Sequence, residues 1–212
     1  MHHVMFDVDG TLVKSYDFDE ACYLESIAEV LGHELDTDWS SYPHITDTGI
    51  LNQHLKRIGF MDRQGEIQKK VKGVFVDKIS QHVAASPVRE VPGATAFIAR
   101  LKTMDNVSLS IATGGWLETA KLKLDSAGID YAGIPIASSN DHYARTEIMK
   151  IAKAKANVAS DHKLTYFGDA AWDKKACSEL GFNFVLVGNR VANHQAVSDL
   201  TAVDQALGFI GL

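Results

Sequence analysis

The chain has 212 residues, of which 46% are hydrophobic and 23% are charged; this composition is typical of a globular protein whose core needs no disulfides or other staples. The formal net charge of −6 argues against nucleic acid or an anionic membrane as the main partner, and no apolar run reaches the roughly 18 residues of a membrane span. The N-terminus enters a strand pattern directly, without a signal peptide, and the two cysteines fall in helical patterns, so we expect a cytoplasmic protein with free thiols.

Five short apolar segments predict the strands of a sheet, at residues 4–6, 107–112, 133–137, 164–167 and 182–187. Helical patterns separate the last four strands, at residues 116–128, 144–158 and 171–180. Strands that alternate with helices predict an α/β fold with a parallel sheet covered on both faces. Ligands of such sheets bind beyond the carboxyl ends of the strands, where the sequence places Asp7, Thr113, Ser138 and Asp169.

Residues 15–89 lie between the first strand and the rest of the α/β pattern, and this connection is too long to lack structure. Apolar residues recur there at helical spacing in three stretches, which are Ala21 to Leu31, Leu51 to Ile58, and Ile67 to Val83. We therefore predict a helical domain at residues 15–89, called the insert below, within an α/β core that comprises residues 1–14 and 90–212.

Two carboxylates, Asp7 and Asp9, lie at the end of the first strand, and a Gly-Thr turn follows them. Residues two apart on an extended segment face the same way, and carboxylates so placed repel each other unless a cation or a proton intervenes. Mg²⁺ suits this arrangement because it takes oxygen ligands and keeps waters and a substrate phosphate. The run therefore predicts a site in which Asp7 attacks a phosphoryl group and Asp9 moves a proton.

Two other kinds of carboxylate site do not fit this run. An EF-hand loop that began at Asp7 would need Gly at its sixth position and Glu at its twelfth, where this chain has Leu12 and Phe18. A glycosidase needs two carboxyl groups that face each other across a sugar, and neighbours at one strand end do not provide that.

Three segments resemble, in order and spacing, motifs of the haloacid dehalogenase superfamily. Residues 7–13 (DVDGTLV) are similar to its first motif, residues 110–115 (SIATGG) to its second, and residues 167–173 (FGDAAWD) to its fourth. The insert resembles the helical cap of subclass I phosphatases, the phosphoglycolate phosphatase-like group. The resemblance implies a Rossmann-like core with a cap, and a Mg²⁺-dependent phosphatase that hydrolyses a small phosphate monoester through an aspartyl-phosphate on Asp7.

The resemblance also implies roles for residues that follow the later strands. Thr113 would bind a phosphate oxygen through its hydroxyl, and Gly114 would let backbone N–H groups approach the anion. Asp169 would complete a Mg²⁺ site with Asp7 and with Asp9, the latter through its backbone carbonyl. We further expect the side-chain oxygens of positions 7, 9 and 169 to converge on one ion.

The basic residue that pairs with the nucleophile and the phosphate is expected after the third core strand. Most members of the superfamily have Lys there, often followed by Pro, whereas this chain has Arg145 and no proline. Arginine suits the role because its guanidinium stays charged and binds phosphate through two nitrogens, and Lys150 is the alternative. Asp173, four residues after Asp169, is expected to support the metal site through hydrogen bonds.

The residue at position 9 bears on the reaction type. Dehalogenases of the superfamily carry an aromatic residue there, since a halide leaves without a proton, whereas Asp9 predicts an alcohol leaving group that needs one. A phosphomutase keeps the same residues and stays an alternative. A phospho-acceptor signalling module is a weaker one, because such modules lack a helical insert and carry their acceptor Asp on a later strand. Neither the substrate nor the oligomeric state follows from the sequence.

Overall fold

The core of the protein is a six-stranded sheet in which every neighbouring pair of strands is parallel. The computed structural model describes residues 1–212. In chain order its strands are β1 His2–Phe6, β2 Val13–Lys14, β3 Arg89–Glu90, β4 Val107–Ala112, β5 Ile136–Ala137, β6 Lys163–Gly168, β7 Asn183–Val187 and β8 Ala196–Val197. The sheet order is β5-β4-β1-β6-β7-β8, and β2 and β3 form a separate antiparallel ribbon. The predicted α/β class with a parallel sheet is therefore confirmed.

Eight α-helices accompany the strands, and none is both long enough and apolar enough to cross a membrane. They are α1 Tyr16–Leu31, α2 Asp47–Arg57, α3 Gln64–Ala85, α4 Ala94–Lys102, α5 Leu117–Ser126, α6 Arg145–Lys155, α7 Ala171–Leu180 and α8 Val203–Ile210. Gly32 ends α1 in the left-handed conformation at φ 75°, which glycine adopts without steric cost. Both cysteines are free thiols, as expected.

Strand β1 is buried on both faces and fixes the residues that follow it. Val4 and Phe6 lie in one apolar cluster, and Met5, which points to the opposite face, lies in another. The ring of Phe6 stacks on Phe167 at 5.3 Å and meets Phe97 edge-on at 6.1 Å between centroids. Because close-packed interiors resist displacement, the carboxyl end of β1 is a rigid base for a reactive group.

Helices α1, α2 and α3 all fall within the insert and share an apolar cluster of their own, which includes Tyr23, Leu51 and Phe75. Trp116, which precedes α5, also belongs to this cluster and is 1% exposed. The β2–β3 ribbon pairs Lys14 with Arg89, so the two ends of the insert lie side by side. The assignment of residues 15–89 as a separate domain stays a prediction.

Candidate active site

The three central strands of the sheet deliver polar side chains to one edge. Asp7 follows β1, Thr113 follows β4 and Asp169 follows β6, and β1 lies between the other two strands. The three residues are only 4%, 1% and 2% exposed, respectively. Parallel neighbours in register end at the same edge, so the sequence prediction that these residues meet there agrees with the strand order.

A carboxylate cluster lies at this edge and consists of Asp7, Asp169 and Asp173, whose ligand oxygens are all within 4.8 Å of one another. One oxygen of Asp7 and both oxygens of Asp169 are buried without a hydrogen-bond partner. Uncompensated burial of such oxygens is costly, and they are the hard ligands that Mg²⁺ prefers. The residues therefore fit the implied metal, with Asp7 and Asp169 offering the free oxygens.

Asp173 differs from the other two because its oxygens are already used within the protein. They accept hydrogen bonds from Arg145 Nη1 at 2.8 Å, from the Tyr166 hydroxyl at 3.2 Å and from the Ala170 N–H at 3.2 Å. This pattern accords with the supporting role that the sequence predicts for Asp173, since a residue with satisfied oxygens holds its neighbours in place.

Crowding of the carboxylates changes their proton affinity. Burial, reinforced by the charge of Asp173, raises the pKa of Asp7 well above its usual range. Burial, and next the charge of Asp173, also raise the pKa of Asp169 to about 7. The half-exposed guanidinium of Arg190 lies 3.7 Å from Asp169 and opposes this shift. A bound divalent cation would favour the ionised forms and reverse these shifts.

Arg145 is the first residue of α6 and reaches into the cluster. Its Nη1 lies 2.8 Å from Asp173 Oδ1 and 3.6 Å from Asp7 Oδ1. A Cβ atom on Gly114 would collide with this guanidinium, so the glycine makes room for it. Lys150, the alternative, is 53% exposed at its side chain and pairs with Glu147 on the surface. The structure thus places Arg145, and not Lys150, beside Asp7.

The loop after β4 packs against the start of α2. The Thr113 hydroxyl accepts a hydrogen bond from the Gly115 N–H at 3.1 Å. The backbone N–H of Asp47 donates to the Gly114 carbonyl at 2.9 Å, and the Asp47 carboxylate accepts from the Trp116 N–H at 2.8 Å. Asp47 therefore ties the insert to the glycine loop. The only sequence signal for this contact is weak, namely a polar residue at the start of a helix.

The Asp9 side chain does not join the carboxylate cluster, so the expectation that side-chain oxygens of positions 7, 9 and 169 converge is not met. Asp9 instead accepts hydrogen bonds from the Ser15 hydroxyl and from Lys123 Nζ, the latter at 2.5 Å. The physical reason is electrostatic: the buried ammonium of Lys123 attracts the Asp9 carboxylate, whereas the carboxylates of Asp7 and Asp169 would repel it. Gly10 follows at φ +78°, and a Cβ there would collide with Asp169.

Lys123 is the site residue that sequence reasoning missed. It lies in α5, is 0% exposed, and also contacts Asp19 of α1 at 2.6 Å. Burial alone lowers the pKa of Lys123, but the carboxylates of Asp19 and Asp9 outweigh burial and raise that pKa above its usual range. Its sequence signal is its position: Lys123 lies three residues after Ala120, on the same buried face of α5.

A cavity of about 120 Å³ lies between this edge of the sheet and the insert. Asp7, Asp9, Thr113, Gly114 and Arg145 line it from the core. Residues of the insert line the opposite side; they include Asp19, Glu20, Tyr23 and Asp47. The arrangement therefore places a carboxylate, a glycine loop and a cation together at one end of a partly open cavity.

Residues 1–181 of the chain match the haloacid dehalogenase-like hydrolase family, and a search of curated proteins finds no match. Among solved structures, a hydrolase from Pseudomonas syringae is 20% identical, with a TM-score of 0.71 over 92% of this chain and 88% of that one. CbbY from Rhodobacter sphaeroides in complex with phosphate is 16% identical, with a TM-score of 0.74 over 100% of both chains. β-Phosphoglucomutase from Clostridium difficile is 16% identical, with a TM-score of 0.76 over 100% of this chain and 97% of that one. At these identities the three structures show a shared fold.

Proposed function

The chain belongs to the haloacid dehalogenase-like hydrolase family, and on that premise we propose that it hydrolyses a small phosphate monoester, with Asp7 as the nucleophile. One observation carries this proposal: Asp7 has a buried oxygen without a hydrogen-bond partner, it lines the cavity, and it lies 3.6 Å from the Arg145 guanidinium. A carboxylate fixed at the end of a rigid strand is well placed for in-line attack on phosphorus.

In the first step an Asp7 oxygen bonds to phosphorus, and the bond from phosphorus to the ester oxygen breaks. Arg145 and the Thr113 hydroxyl hold the phosphoryl oxygens, helped by backbone N–H groups of the loop at Gly114. Asp173 orients Arg145 through their 2.8 Å contact. Asp7 and Asp169 would hold Mg²⁺, which when bound neutralises phosphate charge.

Asp9 moves the protons in both steps. It gives a proton to the leaving alcohol, and it then takes one from the water that attacks the aspartyl-phosphate. The contact with Lys123 Nζ at 2.5 Å holds the Asp9 carboxylate in place at the wall of the cavity. The first step uses Asp9 after it has taken up a proton. Lys123 and Ser15 are positioning residues in this scheme, because they contact Asp9 and not the substrate.

Hydrolysis is favoured over a mutase reaction by the charges that line the cavity. A phosphomutase passes through a bisphosphate, and its site must therefore hold two phosphate groups. Arg145 is the only Lys, Arg or His side chain among the residues that line this cavity. One guanidinium beside the nucleophile serves one phosphate, so the product of the reaction is expected to be free phosphate.

The test is phosphate release with Mg²⁺ from a panel of phosphorylated metabolites and from p-nitrophenyl phosphate. Asp7→Asn keeps the shape of the side chain but removes the nucleophile, so we expect a folded protein without measurable turnover. The matched control is Asp77→Asn, since Asp77 is exposed on α3 and forms no ion pair. We expect Asp77→Asn to keep the wild-type rate. Turnover by Asp7→Asn at that same rate would refute the role of Asp7.

A further inference from the structure

The end of the cavity that faces the insert carries negative charge without a matching positive charge. Five carboxylate side chains line the cavity, and one guanidinium does. Two of the carboxylates, Asp7 and Asp9, belong to the reactive end described above. The other three are Asp19, Glu20 and Asp47, which all come from the insert.

These three insert carboxylates differ in how they are compensated. Asp19 is paired with Lys123 at 2.6 Å. Asp47 accepts a hydrogen bond from the uncharged Trp116 N–H and forms no ion pair. Glu20 forms no ion pair, and no hydrogen bond reaches its side chain. Burial raises the pKa of Asp47 well above its usual range, and the ammonium of Lys123 opposes that shift. Glu20 is therefore the carboxylate of the insert that faces the cavity with neither an ion pair nor a hydrogen bond.

Four aromatic side chains, Tyr16, Tyr23, Trp39 and Trp172, line the same cavity. The guanidinium of Arg190 already lies over the ring of Tyr16, at 3.5 Å from its centroid. Aromatic faces attract cations through the ring quadrupole and attract ammonium groups in particular. Carboxylates and aromatic faces together are therefore a surface that favours a positively charged group and repels a negatively charged one.

The opposite end of the cavity fixes where the leaving group must lie. Asp7 Oδ1 and Arg145 Nε are buried there without hydrogen-bond partners, and both residues line the cavity. A phosphate held between them places its ester oxygen, and the alcohol attached to it, towards the insert. We propose that the substrate is the phosphate ester of an amino alcohol, whose ammonium group binds between Glu20 and the aromatic side chains. This inference rests on the phosphatase activity proposed above.

Three esters of similar size test it: 2-aminoethyl phosphate, 2-hydroxyethyl phosphate and phosphoglycolate, whose leaving groups are cationic, neutral and anionic. We expect kcat/KM to fall in that order, with at least a tenfold difference between the first two. Surface charge interactions are screened by salt, so raising NaCl from 50 mM to 1 M should shrink the difference. A neutral or anionic ester as the best substrate would overturn the inference.

Variants of residues on α1 test whether Glu20 is the source of the preference for a cationic leaving group. We expect Glu20→Gln to lower the preference for 2-aminoethyl over 2-hydroxyethyl phosphate about fivefold or more, which is about 1 kcal/mol, and Glu20→Lys to shift the preference towards phosphoglycolate. The matched control is Glu25→Gln, because Glu25 is 66% exposed on the same helix and pairs with Lys78. An equal effect of both Gln variants would contradict the assignment. Absence of turnover with all three esters and with p-nitrophenyl phosphate would instead reject the phosphatase proposal.

Discussion

Replacing Lys123 with Met removes the positive charge that lies between Asp9 of the core and Asp19 of the insert. Lys123 is 0% exposed, and its Nζ contacts the two carboxylates at 2.5 and 2.6 Å. Removing one partner of a buried ion pair costs about 3–5 kcal/mol, because a charge is left buried without compensation. Both carboxylate side chains are 20% exposed, and water can therefore solvate part of the released charge.

We therefore expect Lys123→Met to lower the free energy of unfolding by about 3 kcal/mol, the lower end of that range. For a chain of this length that loss corresponds to about 6–12 °C in Tm. The measurement is urea unfolding followed by circular dichroism, together with thermal unfolding at the same pH. We also expect kcat to fall, since Asp9 loses a group that orients it.

Two further variants make this prediction specific. Lys121→Met removes an exposed ammonium from the same helix and should change stability by no more than about 0.5 kcal/mol. Adding Asp19→Asn to Lys123→Met removes one of the stranded charges, so the double variant should regain about 1 kcal/mol or more of the loss. Losses of equal size for Lys123→Met and Lys121→Met would refute the reasoning that this lysine compensates buried charge.

Three other outcomes are expected. Asp9→Asn should lower kcat on an alkyl phosphate by about 10²–10⁴ and much less on p-nitrophenyl phosphate, whose leaving group needs no proton; equal losses on both would contradict the acid role. Arg145→Lys should reduce kcat/KM at least about tenfold because the two-nitrogen contact is lost, whereas Lys150→Met on the surface should leave it unchanged. The raised pKa of Asp169, about 7, means that in Mg²⁺-free protein the native state keeps a proton that the unfolded state releases near pH 4. Stability without metal should therefore fall as the pH rises from about 4 to 7, and the gain in Tm from Mg²⁺ should be larger at pH 8 than at pH 5.5; equal gains at both pH values would count against a Mg²⁺ site at Asp169.

The strands could be predicted from sequence because each is a short apolar run that ends in a turn. The prediction of residues 107–112 matches β4 residue for residue, that of residues 164–167 is one residue short of β6 at each end, and that of residues 182–187 begins one residue before β7. Residues 133–137 were predicted as one strand, but only Ile136–Ala137 pairs with β4, because Gly133 at φ 76° forms a turn. Edge strand β8 has two residues, too few to show a pattern.

Helix α4 was also not predicted, although its sequence carries a signal. Its buried residues, Ala94, Phe97, Ile98 and Leu101, follow the spacing of one helix face. Pro92 and Gly93 directly precede α4, and a Pro-Gly pair is a turn signal that hides the start of a helix behind it. The site residues after β1, β4 and β6 were found because strand ends are marked by sequence, whereas the contact of Asp9 with Lys123 joins residues 114 positions apart and depends on how α5 packs.

The charges around the cavity fall into three groups, each with a different kind of partner. The three carboxylates of the cluster face one buried guanidinium, that of Arg145, so the cluster retains excess negative charge that a divalent metal ion can offset. Lys123 compensates a second pair of carboxylates from within the protein. Glu20 has neither kind of partner, which leaves the substrate to supply one. The metal, the lysine and the leaving group therefore act on separate carboxylates. Removing Mg²⁺ should alter stability, replacing Lys123 should alter the orientation of Asp9, and changing the ester should alter the rate through substrate preference. If replacing Lys123 changed the leaving-group preference as much as replacing Glu20 does, the three groups would not be independent.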